Sequence, residues 1–134
     1  MKQLLKKLWI AIFIISTSAF IFSCSKNDDN NNPANPPAGN WRISLYFDTG
    51  DETANFAGYS LTFAGNAVVT ASNGVNTVTG TWSQTSTKYN LNFGTTPVFE
   101  DLNDDWLIVE KNSTSIKLKD DNPAQDDKLE FTKQ

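Results

Sequence analysis

From Gly39 onward the large apolar residues recur at every second position, and that spacing constrains the fold more than any other feature of the chain. Trp41, Ile43, Leu45 and Phe47 alternate with Arg42, Ser44, Tyr46 and Asp48. A period of two puts one set of side chains on one face of an extended backbone, so the segment reads as a half-buried β-strand. Seven further segments follow. Tyr59, Leu61 and Phe63 share a face, 67–72 is a short Val/Thr strand, and Val78, Gly80 and Trp82 sit among threonines. Tyr89, Leu91 and Phe93, then Trp106 and Ile108, then Ile116 and Leu118, then Leu129 and Phe131 complete the set. Only 97–103 reads as a helical turn, with Thr96 as its cap and Pro97 at the first helical position.

The connections agree with the strands. Gly65-Asn66 and Asn73-Gly74 are two-residue hairpin signals, because these residues accept the positive φ angles of primed turns, and Asn112-Ser113 forms a third tight turn. Eight strands joined mostly by short links predict an all-β domain, an eight-stranded up-and-down antiparallel barrel. Closure favours the barrel over the alternative, a β-sandwich, because it leaves no edge strand to aggregate.

Alternation assigns Trp41, Phe47, Tyr59, Phe63, Trp82, Tyr89, Phe93, Trp106 and Phe131 to the interior, as core or as the lining of a ligand cavity. It places Tyr46, Leu107 and Val109 outside. An eight-stranded barrel is just wide enough to be filled by its own side chains or to hold one small ligand. Aromatics that each bury roughly 150 to 250 Å² predict a packed interior with at most a shallow apolar cup.

The chain before Gly39 has a different character. Lys2, Lys6 and Lys7 precede an apolar run that is interrupted by Ser16, Thr17 and Ser18 and is short for a membrane span. Residues 1–23 therefore read as an export signal. The sequence Ile21-Phe22-Ser23-Cys24 resembles a bacterial lipobox, and that resemblance implies cleavage before Cys24 and acylation, palmitate included, of the only cysteine in the chain. Multiple acyl chains would anchor the protein stably. Residues 24–39, rich in Asn, Pro and Asp, cannot bury enough surface to offset ordering entropy and are expected to form a disordered tether. Lys26 followed by Asp28 and Asp29 resembles the surface-export signal of Bacteroidota lipoproteins.

Residues 40–134 are expected to form the single folded domain. Gly39-Asn40-Trp41 resembles the Gly-x-Trp start of lipocalins, where the tryptophan plugs the closed end of the barrel. The stretches Phe56-Ala57-Gly58-Tyr59, Val78-Thr79-Gly80-Thr81-Trp82, Leu102-Asn103-Asp104-Asp105-Trp106 and Leu129-Glu130-Phe131-Thr132-Lys133 are similar to those of small lipocalin-like lipoproteins of Bacteroidota. Lipocalins place an arginine near the last strand to stack on the tryptophan; this chain offers Lys128 or Lys133 there. The resemblance implies a barrel and carries no ligand with it.

Charge narrows the function. Removing the leader lysines leaves 11 − 3 = 8 basic residues against 15 acidic, a net charge of −7 from Cys24 onward. That balance argues against nucleic acid or an anionic membrane surface as a direct partner, which leaves the lipid on Cys24 as the membrane contact. The chain has no histidine, so imidazole catalysis and His-ligated metal sites are excluded. Within residues 40–134 no serine has a Ser-x-x-Lys partner, and no phosphate loop or nucleotide fingerprint occurs. A non-enzymatic protein is expected.

In an up-and-down meander the first, third, fifth and seventh connections share one end. Three of them are long, 48–58, 94–105 and 120–127, and carry eleven of the fifteen acids. The tether would then hold the domain by its plain end and turn an acidic, loop-rich end outward. Asp101, Asn103 and Asp105 have the alternation of the opening positions of a calcium loop, although Trp106 stands where such a loop needs glycine and Asn112 where it needs a bidentate glutamate. Ca²⁺ is the one cofactor this pattern admits. The expectation is a binding module lipid-anchored to the outer membrane of the cell envelope, surface-exposed, which engages a small ligand, glycan or protein through its acidic loops. The alternative is an accessory lipoprotein of an envelope assembly with a filled, ligand-free barrel.

Overall fold

The computed structural model describes residues 37–134. The expected leader, the expected lipid attachment at Cys24 and the expected tether up to residue 36 fall outside the described residues. Nine strands form in order: β1 Asn40–Asp48, β2 Gly50–Asp51, β3 Ser60–Phe63, β4 Val68–Ser72, β5 Thr77–Gln84, β6 Lys88–Asn92, β7 Asp104–Lys111, β8 Ser115–Lys119 and β9 Lys128–Lys133. The two-residue β2 only folds back on the end of β1. The other eight are each antiparallel to their neighbours, and β1 pairs with β9 from Trp41↔Lys133 to Phe47↔Lys128. That pairing closes the sheet into an eight-stranded up-and-down barrel and removes the sandwich alternative.

Tight turns are held by side chains as much as by backbone. Asn73, Thr85 and Asn112 each accept hydrogen bonds from the backbone N–H groups two and three residues on, at 2.7 to 3.3 Å. A short polar side chain thus pins each hairpin in place of a primed Asn-Gly turn. At 64–67 the positive φ falls on Ala67, at 65°, and not on Gly65 or Asn66. The helical turn is shorter than 97–103: a 3-10 turn covers Phe99–Leu102, entered through Val98 at φ 71°. Thr96 gives its backbone carbonyl to the Glu100 N–H at 2.8 Å and makes no side-chain cap. A second 3-10 turn, Thr53–Phe56, follows β2.

Two β-bulges reset which side chains point inward. On β1 the register passes from Ile43↔Phe131 to Leu45↔Glu130, so one extra residue sits opposite β9 at Ser44. Its hydroxyl donates to the Glu130 carbonyl at 3.3 Å and accepts from Thr132 Oγ1 at 2.9 Å. An inserted residue reverses the inside–outside parity of everything beyond it. Tyr46, expected outside, is therefore buried. Phe47, expected inside, is turned out and half-buried, with Lys128 Nζ 5.5 Å from its ring centre. A bulge at Val109 in β7 does the same, leaving Val109 60% exposed, turning Glu110 out and bringing Lys111 opposite buried Ile116. Leu107 keeps its outward place but is half-buried.

The interior is one continuous cluster. Trp41, Phe63, Trp82, Tyr89, Phe93, Trp106 and Phe131 are buried as expected, with Leu61, Leu91, Leu118 and Leu129 between them. Phe63 meets Trp82, Tyr89 and Phe131 edge-on at 5.6 to 5.7 Å, and Trp82 stacks on Tyr89 at 5.6 Å. Gly80 gives Phe93 its room: a Cβ there would stand 2.6 Å from the Asn92 carbonyl oxygen and 2.7 Å from the Phe93 ring. Buried polar tips find backbone carbonyls. Trp82 Nε1 donates to Ala64 at 2.9 Å, Trp106 Nε1 to Leu102 at 3.1 Å, and Tyr46 Oη to Asp101 at 2.9 Å. Tyr89 Oη has no partner among the described residues.

Net hydrogen bonds stabilise by about 0.5 to 1.5 kcal/mol, whereas an unsatisfied buried hydroxyl costs about 1 to 3 kcal/mol. Tyr46→Phe is thus expected to destabilise the domain by about 1 kcal/mol, and Tyr89→Phe to leave it unchanged or to stabilise it. Urea unfolding of the two variants checks the contrast in sign.

Candidate functional site

The site begins with how the loop end of the barrel is sealed. Phe56, from the Thr53–Phe56 turn, and Phe99, from the Phe99–Leu102 turn, are 3% and 2% exposed. They pack edge-on at 5.4 Å, and Phe56 meets Tyr46 at the same distance. Half-buried Tyr59 and buried Phe93 lie 5.0 and 5.1 Å from Phe99. Five rings thus close this end of the packed interior. Sequence alternation could not find Phe56 or Phe99, because both lie in loops; their signal was only that large aromatics are rare in loops with nothing to bury them.

The carboxylates gather outside this plug. The Tyr46 phenol is pushed up by burial and then by Asp48, Asp101, Asp127 and Glu52, acids from all three long loops. Asp104 is raised by burial and by Asp120, Asp105 and Asp121. Asp127 is raised by burial and by Asp48, Asp120, Asp126 and Asp104. Lys88 is the cation that enters the group, reaching Asp105 at 2.6 Å and Asp121 at 2.7 Å. Its hydrogen bonds hold Asp105 below the usual carboxylate range and raise Lys88 itself. Through Asp121 the same lysine ties the 120–127 loop to the barrel wall. Clefts of about 290 and 420 Å³ flank that loop, one bordered by Phe47 and Asp48, the other by Leu107 and Lys119.

The calcium pattern does not assemble as a ligand set. Asn103 is committed to its own loop, accepting from the Phe93 N–H and donating to the Gly94 carbonyl at 2.7 Å. Asp105 faces Lys88, and Asp101 contributes a backbone carbonyl to Tyr46. Among the described residues no three carboxylates or cysteines come together in a way that holds a metal ion.

No protein-family model matches this sequence, and no curated protein does. A solved structure does share the fold: a DUF4847 family protein from Bacteroides vulgatus, at a TM-score of 0.55 and 17% identity, over 73% of this chain and 94% of that one. At that identity the likeness extends to the barrel alone.

At the opposite end Trp41 is 1% exposed and its indole N–H donates to the Pro37 carbonyl at 3.3 Å. Of the two lysines offered for the place of the lipocalin arginine, Lys133 lies opposite Trp41 and presses its Cε against Gly39, whereas Lys128 covers Phe47. Lys111 and Gln84 are hydrogen-bonded across this mouth, beside the Tyr89 ring, and burial lowers the Lys111 pKa.

The raised Asp104 fixes a sign. Its folded state keeps the proton to higher pH than the unfolded chain does, so this group weakens the fold as pH rises through its raised pKa. Asp104→Asn, which retains the acceptor for the Asp105 N–H, is expected to raise the melting temperature at pH 7. The gain should fade as pH falls below the ordinary value of 3.8, where the carboxyl is protonated in both states. Thermal melts of variant and parent across that pH range check it.

Proposed function

We propose that the protein is a non-enzymatic binding module, held in the cell envelope by a lipid on Cys24, that engages a cationic partner through its acidic loop end. The observation that carries this reading is the convergence of acids from three loops on Tyr46, Asp104 and Asp127, with Lys88 bridging Asp105 and Asp121 of two of those loops. Crowded carboxylates gain when a cation arrives, because the arriving charge relieves their mutual repulsion. The aromatic plug directs contact to the outside of the barrel, and the neighbouring Phe47 and Leu107 offer apolar surface beside the charge. A lysine- or arginine-rich protein segment matches both features.

The test is titration of the protein with octalysine at low and high salt. Binding is expected at low salt, weakening steeply as salt rises, and falling at least tenfold in the Asp104→Asn/Asp120→Asn/Asp127→Asn variant. Equal affinity for parent and variant, or no binding at low salt, would contradict the reading. Intact mass of the membrane-extracted protein checks the anchor separately: it should equal residues 24–134 plus acyl chains.

The sealed interior also favours a second reading, an accessory lipoprotein with a filled, ligand-free barrel inside a larger envelope assembly. Migration of the detergent-extracted protein in a large complex that octalysine does not perturb would support that alternative.

A further inference from the structure

The carboxylates of the long loops gather at one end of the barrel, which the net charge conceals, whereas the cations are spread over both ends: Lys88 reaches those loops, and Lys119 and Lys128 lie with them. The end opposite the acidic loops is marked out by a chain of contacts: Pro37 with Trp41, Trp41 opposite Lys133, Arg42 opposite Thr132, and the Lys133 N–H on the Thr114 carbonyl at 2.9 Å. The turns at this end, 64–67, 85–88 and 112–115, contain no carboxylate and are built from hydroxyl, amide and small residues together with Lys88. The nearby acids are Glu110, paired with Lys117 at 2.9 Å, and Glu130, opposite Lys117 in the register. Arg42 and Lys133 are exposed and make no ion pair among the described residues.

The separation is partial: Arg42 lines a cleft with Thr53, Phe56 and Tyr59 of the first long loop, and salt screens the carboxylates of that loop over roughly 8 Å at physiological strength. Position supplies the partner. The chain enters the domain at this end through Pro37, thirteen residues after Cys24, so the face lies within roughly 45 Å of the attachment point.

We propose that this end of the barrel is a membrane-docking face, on which Arg42 and Lys133 take the phosphates of anionic lipid headgroups while the acidic end points away from the bilayer. The proposal rests on the Cys24 anchor. It reverses what the net charge of the chain implies about anionic surfaces, because a membrane meets one end of the molecule and not its average. Each lysine or arginine near an anionic leaflet favours contact roughly fivefold, so removing both is expected to lower docking about 25-fold.

The mature lipidated protein, residues 24–134, reconstituted in vesicles of phosphatidylcholine alone or mixed with phosphatidylglycerol, tests it. A fluorophore is placed at Ser113→Cys near the docking face or at Val75→Cys in the acid-side turn, and is quenched by a headgroup spin label. The Ser113→Cys label should be quenched several-fold more with phosphatidylglycerol. That excess should vanish with added salt and in the Arg42→Gln/Lys133→Gln variant, with Val75→Cys unquenched throughout. Equal quenching in the two lipids, or quenching that survives the double substitution, would overturn the docking face while leaving the anchor standing. Failure of the protein to float with phosphatidylcholine vesicles would overturn the anchor and this proposal together.

Discussion

The pairing of β1 with β9 is the contact on which the rest of the structure depends. It joins the first and last strands of the meander, so β9 gains a second neighbour and β1 is paired along most of its length, which removes the edge a second chain could pair with. The same ladder contains the Ser44 bulge, held by Thr132 and Glu130 of β9. Because the bulge reverses parity, Tyr46 enters the barrel and reaches the Asp101 carbonyl, tying β1 to the loop that carries Phe99 and Leu102. Closure and the loop-end plug are thus consequences of one strand pair.

The packed core holds the loop-rich end and the tight-turn end of the barrel apart. At one end Phe56 and Phe99 complete the core and hold their loops down, leaving the carboxylates of those loops no direction but outward. At the other, Trp41 hydrogen-bonds to Pro37, so the point where the chain enters the domain is fixed relative to the barrel axis. A small domain has little interior to spare, and each buried aromatic contributes about 1.5 to 3 kcal/mol. Filling the barrel serves stability, and the binding proposed for this domain falls to its surface.

The fold was legible in the sequence because two-residue periodicity is a direct imprint of the sheet. Trp41, Phe63, Trp82, Tyr89, Phe93 and Trp106 could all be placed inside from spacing alone. What spacing could not reveal was a single inserted residue: nothing distinguishes Ser44 or Val109 from its neighbours until the partner strand is present, so Phe47 was assigned inward and Tyr46 outward. Phe56 and Phe99 were hidden for a related reason, since periodicity is silent where the backbone is irregular. The convergence of the acids followed from topology and was readable. The pairing of Asp105 with Lys88 and the commitment of Asn103 to its own loop, which undo the calcium pattern, depend on side-chain geometry that no spacing encodes.

The claim that the barrel is filled, and that contact with partners is therefore external, is tested most directly by a crystal structure under xenon pressure. Xenon enters apolar cavities large enough to hold it. A packed interior predicts no xenon site within the ring formed by Phe63, Trp82, Tyr89 and Phe131. An ordered xenon atom among those side chains would show a cavity, return the barrel interior to the list of ligand sites, and contradict the account.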